Sequence, residues 1–185
     1  MSAKNLFAGQ TLYSLVLEVP DAVLLPAAAR ERRIGFWGLT TLATDAGGWR
    51  PINRAGLPMV HPLFAQLNGE LGNRLNAGRP ADDHQSFSRE IADMVAGVVA
   101  AYGTADDPHA YAESVASRIF PNVLPYTLGT PAGFGFAGWN GRSLTDNTPD
   151  VMFSFATNSA FTQGIGKDSV TSKPSDTWPY VPAAS

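Results

Sequence analysis

Two aspartates four residues apart, Asp146 and Asp150, stand with Asn140 and Asn147 in the stretch NGRSLTDNTPDVMFSFATN, residues 140–158. Carboxylate and amide oxygens are the hard ligands that Ca²⁺ gathers, so Asp146, Asp150 and Asn147 are the candidate cation ligands and Ca²⁺ the candidate ion. The spacing lacks the alternation of an EF-hand loop, and no Glu follows to close a bidentate shell. The structural alternative is that Asp146 or Asn147 accepts hydrogen bonds from backbone amides where the chain turns. Arg142 is close enough in sequence to pair with Asp146 or Asp150 as a guanidinium–carboxylate fork, which would also be structural.

Asp82-Asp83-His84 is the densest cluster of acids and imidazole. A histidine beside carboxylates suits a general base or a metal ligand. Three adjacent residues converge on one centre only if the loop folds back, and acids also favour the positive end of a helix. Together with Arg142 these three form a second candidate polar site. His61 precedes Pro62 in an expected turn, and His109 sits in the first turn of an expected helix, solvated. No two histidines have the i, i+4 spacing of a zincin helix. Ser143 lacks the glycines of a nucleophile elbow. Residues 133–138, GFGFAG, fit the letters of a dinucleotide loop without the flanking strand and helix it needs, and read better as a tight aromatic turn. Phe134, Phe136, Trp139, Trp178 and Tyr180 suit either an apolar ligand groove or core packing and a terminal clasp.

These residues must be positioned by a chain rich in turns, with 18 Gly and 14 Pro among 185 residues. Thr11 to Val19 reads as a strand with Leu15, Leu17 and Val19 on one face and Val16 buried on the other. Pro20 ends it, and Asp21 caps a short helical stretch to Leu25 before Pro26. Ile34 to Leu42 is a second strand, Gly35 and Gly38 allowing close approach or a bulge. Ala46-Gly47-Gly48 turns the chain into a third strand from Trp49 to Asn53, an antiparallel hairpin. Leu63, Leu67, Leu71 and Leu75 predict one helix, weakened by Gly69 and Gly72. Ser88 to Tyr102 is a second helix, Ser86 or Ser88 its cap and Ile91, Val95, Val98 and Val99 inward. Asp107-Pro108 opens a third, with Tyr111, Val115 and Ile119 facing the core. Val151 to Thr157 reads as the last strand. The expected fold is α+β: a largely antiparallel β-sheet core, one domain over residues 1–185, with an insertion of about three helices between about 60 and 120.

LYSLVLEVP (12–20), IGFWGLT (34–40), NRAGLP (53–58), AGRPADDHQSF (77–87), FPNVLPY (120–126), the stretch 140–158 and WPYVPA (178–183), in that order, resemble the bacterial family called domain of unknown function 4331. Longer members look like exported proteins whose amino-terminal half carries an acidic Asp-Leu-Tyr-Ala-Phe segment, and this chain is similar to the carboxyl-terminal half. The resemblance therefore implies an extracellular or periplasmic setting and a longer architecture. It brings no shared activity with it. The family's turn here usually reads Leu-Thr-Asp-Asp-Val-x-Asp; Asn147 replaces one acid and Pro149 removes a backbone donor, so a cation site would be weaker.

Composition narrows the classes further. The formal charge is −3, with no basic run longer than Arg30 to Arg33, which argues against nucleic acid as a partner. The chain has no cysteine, which excludes disulfides and thiolate-ligated zinc. Its longest apolar runs are too short to span a bilayer, and residues 1–9 do not form a signal peptide. Two readings remain. The first is a non-catalytic binding or structural module, with a protein partner or self-association replacing the missing amino-terminal half. The alternative is a metal-assisted or acid–base enzyme acting on a small polar substrate such as a sugar, with Asp146, Asp150, His84 and Asp83 converging.

Overall fold

The computed structural model describes residues 3–25, 31–170 and 172–182; Pro26, Arg30 and the last three residues of the tail, named above, lie outside them. The fold is α+β with antiparallel sheets. Strands β1 (Arg33–Phe36), β2 (Gly38–Ala43) and β3 (Trp49–Ala55) come first, after a one-turn helix α1 (Asp21–Leu24). Helices α2 (Val60–Phe64), α3 (Gly69–Ala77), α4 (Asp83–Tyr102) and α5 (Pro108–Ile119) follow. Strands β4 (Leu124–Thr127), β5 (Gly133–Gly135) and β6 (Gly138–Asn140) lead to helix α6 (Thr148–Thr157). The strands form three antiparallel pairs, β1 with β4, β2 with β3 and β5 with β6. In the first, Ile34 faces Tyr126; in the third, Phe134 faces Trp139.

The hydrophobic core lies mainly among the helices. On α4, residues 83, 87, 91, 95 and 99 fall on one side, one every fourth position, and all five are buried. The four apolar ones cluster with Ala112, Val115 and Ile119 of α5 and Val151 and Met152 of α6. Gly103 in left-handed conformation (φ 64°) closes α4, and the Thr104 amide donates back to the Val99 carbonyl at 3.0 Å. Asp107 caps α5 by accepting from the Ala110 amide at 3.0 Å, with Pro108 in the first turn as expected.

Four expectations need correction. The leucine repeat is split: α2 ends at Phe64, Asn68 caps α3 by accepting from the Leu71 amide, and Leu67 between them is 99% exposed. Helix α4 starts at Asp83, not Ser88, and neither Ser86 nor Ser88 caps it. Residues 151–157 are helical: Val151, Met152, Phe155 and Ala156 share one face, and Asn147 and Pro149 form a helix start. Pro149 loses nothing there, because amides of a first helical turn lack intrahelical partners anyway. Finally, residues 11–19 run without any strand partner among the described residues, with Val16 and Val19 half-buried and Leu15 95% exposed.

The expected hairpin forms in part, as β2–β3 with Gly47 and Gly48 both at positive φ in its turn, but the strand expected over 34–42 breaks at Trp37 and residues 33–36 pair with β4 instead. The bulge lies in β3, where Thr40 and Thr41 face Asn53 and Pro51 and leave Ile52 unpaired. Gly35 is a site of close approach, since a Cβ there would sit 2.8 Å from a Val123 methyl.

Candidate functional site

Asp83 does not act with its neighbours. The burial stripe of α4 carries it inward, while Asp82 and His84 stay exposed. Inside, Asp83 meets Arg54 of β3 in a two-pronged ion pair, Nη1 to Oδ2 at 3.0 Å and Nη2 to Oδ1 at 2.7 Å, both side chains shut off from solvent. Arg54 Nε donates to the Leu75 carbonyl at 2.9 Å, and the Asn122 amide donates to Asp83 Oδ2 at 2.8 Å. The Asn122 side-chain oxygen in turn accepts from the Leu57 amide at 2.8 Å. Gly56 makes this fit possible: a Cβ there would lie 2.0 Å from the Asn122 carbonyl oxygen. The cluster is a satisfied knot joining β3, α4 and the α5–β4 connection.

His61 lies beside this knot, within α2 and not in a turn. Its Nε2 is buried without a hydrogen-bond partner. Burial lowers its pKa from the ordinary 6.5, and the nearby Arg54 charge lowers it further. His109 is exposed in the first turn of α5.

The aspartates of the candidate cation site, Asp146 and Asp150, face main chain. Asp146 Oδ2 accepts from the amides of Ser143 at 2.7 Å and Phe134 at 2.8 Å. Its ion pair is with Lys167, Nζ to Oδ1 at 3.1 Å; Arg142, the expected partner, is exposed and pairs with neither aspartate. Burial pushes the Asp146 carboxyl upward, but the hydrogen bonds from Ser143 and Phe134 and from Lys167 outweigh it and leave the pKa below the ordinary 3.8. Asp150 Oδ1 accepts from the Gln163 amide at 3.1 Å. Asn147 caps α6, donates through Nδ2 to the Ile165 carbonyl at 2.6 Å, and accepts from Gln163 Nε2 at 3.1 Å. Asn140 is committed as well, its Oδ1 accepting from the Thr127 amide and its Nδ2 donating to Thr130 and Pro131. Asp83 and Asp146 have no hydrogen-bond partner in common, and no three His, Asp or Glu side chains among the described residues are grouped to hold a metal ion.

No family model, curated protein or solved structure matches this chain. The chemistry must therefore be read from its surfaces. Two are open. An apolar groove of about 850 Å³ runs between residues 14–19 and the β1–β4 pair, lined by Leu15, Leu17, Phe36, Leu124 and the tail at Tyr180 and Val181. The tail thus reaches the groove, although Trp178 and Tyr180 remain about half exposed, edge to face at 5.9 Å. The second is a cleft of about 580 Å³ between β1 and the end of α5, where Arg118 lies over Trp139. Sequence reasoning missed Arg54, Asn122 and Arg118. A helix begun at Asp83 would have buried that acid one period before Phe87 and so demanded a cation. Nothing in the local sequence says that the cation is Arg54, which is 29 residues away.

Proposed function

We propose that this chain is a non-catalytic binding module, completed by a partner polypeptide that lies in extended form along its open sheet edges and apolar hairpin. The accessible surface carries this reading. It is 12717 Å² for a 19.6 kDa chain. A compact monomer of that mass exposes about 8,600 Å² by the usual scaling. The surplus of about 4,000 Å² is several times the roughly 800 Å² that each partner gives to a standard interface. Much of what is exposed is apolar: Phe36, Trp37, Leu39, Leu42, Trp49 and Ile52 along the first strands, and Leu12, Leu15 and Leu17 before them.

The kind of partner follows from the backbone. Each sheet has only two strands among the described residues, so the β2–β3 hairpin keeps outer edges whose donors and acceptors are unpaired in the ladder, whereas the outer edge of β4 is partly taken by the Gly141 amide and the Asn140 side chain. An added strand satisfies those groups and lays alternate side chains on the exposed apolar ones. Sedimentation velocity of the full chain over a hundredfold concentration range, with a hydrophobic dye, tests the reading. A second copy standing in for the partner should give concentration-dependent dimers and strong dye fluorescence. A monomer at every concentration that leaves the dye dark overturns it.

A further inference from the structure

The cleft between β1 and the C-terminal end of α5 adjoins the apolar groove at Ile34 but has a different chemistry. Its anchor is Arg118. The guanidinium carbon sits 4.3 Å from the Trp139 ring centre and 5.2 Å from that of Phe155. Trp139 is itself fixed, stacked at 5.0 Å and 8° on the buried Phe134 and meeting Phe155 edge-on at 5.2 Å. The Tyr111 hydroxyl steadies Phe155, which backs Arg118 without lining the cleft, by donating to its carbonyl at 2.6 Å. Stacking on an aromatic face holds an arginine in place while leaving its in-plane donors free for a ligand. Among the described residues, the ion pairs involve Arg32, Arg54, Arg74 and Lys167, and Arg118 forms none.

We propose that this cleft binds a small carboxylate with a flat apolar body, its two oxygens taken by the Arg118 fork. The volume of about 580 Å³ lies in the range of small-molecule sites. Beyond Arg118 the walls are Ile34, Leu57, Phe120, Pro121 and Pro125, surfaces that shed water onto a flat hydrocarbon. Charge selects the anion. Arg33 and Arg118 line the cleft with Glu31, leaving one net positive charge, which suits a monoanion better than a phosphate dianion. Because two planar oxygens match the guanidinium geometry, lysine is no substitute here.

Benzoate is the probe, added to the ¹⁵N-labelled full chain, with the Trp139 indole N–H and the Gly35 and Ser117 amides as reporters. Saturable shifts at these three are expected, with benzamide weaker by about tenfold because it lacks the charge-assisted fork. Arg118→Gln should weaken benzoate by about tenfold or more, and Arg118→Lys should recover only a small part of that loss. The side chain is exposed, so both variants keep the wild-type helical circular dichroism that validates the comparison. Equal binding of benzoate and benzamide, or an Arg118→Gln chain that binds benzoate unchanged, overturns the assignment. Phenyl phosphate binding tenfold tighter than benzoate overturns the monoanion part of it.

Discussion

Asp83 shows how one side chain can look like chemistry in sequence and be architecture in space. Beside Asp82 and His84 it offers an acid–base cluster; in the fold its two oxygens are taken by Arg54 and the Asn122 amide. A carboxylate so enclosed holds three chain segments together, those around residues 54, 83 and 122. Removing it leaves the guanidinium of Arg54 buried without its counter-ion. Asp83→Ala should therefore destabilise the chain by about 3–5 kcal/mol, the usual cost of breaking a buried pair from one side. Urea denaturation followed by circular dichroism measures it. A loss below about 1 kcal/mol, the range of exposed pairs, would show that the pair is solvated in solution. Among the residues, then, the sequence marked the acid and not its partner, because a salt bridge between distant segments leaves no trace in local spacing.

The same limit operates on elements, in a different form. Helices α4 and α5 are legible because four-residue apolar stripes and the Asp107-Pro108 start are local signals. The β2–β3 hairpin is legible through its glycine turn. Helix α6 reads as a strand in sequence because Val151 to Phe155 is a short, dense apolar run, where periodicity alone does not separate strand from helix. The deciding signal was present: Asn147 with Pro149 two residues on is a helix start. Asn147 does more than cap. Its side chain and those of Asp146 and Asp150 hold residues 163–167 against the start of α6. Asn147→Ala should cost about 0.5–2 kcal/mol as a lost cap. It should also raise hydrogen exchange at the Gln163 amide, which Asp150 holds, leaving Ile91 and Val115 protected. Exchange unchanged at Gln163 would mean that Asp150 alone holds the segment.

For the whole molecule the question is which parts the chain stabilises by itself. The helical core is closed: Leu71, Leu75, Ile91, Val99, Val115, Ile119 and Met152 are fully buried. The hairpin is not, since Leu42 is 56% and Trp49 73% exposed. A two-stranded hairpin without cover is marginal on its own in water. Here only the Arg54 end of β3 is buried, so the turn end projects beyond the core. Two variants that each remove apolar side chains should therefore have opposite consequences. Ile91→Ala should cost about 2–5 kcal/mol, as expected for truncation in a closed core. Leu42→Ser with Trp49→Ser should change stability by less than about 0.5 kcal/mol per site, because little apolar area is withdrawn from water at either. The paired hairpin variant should nonetheless lose the dimer and most of the dye signal of the wild-type chain. Thermal and urea unfolding beside sedimentation separates the two effects. If the hairpin variant instead unfolded as readily as Ile91→Ala, these side chains would already be buried within one chain, and the module would need no partner to cover them.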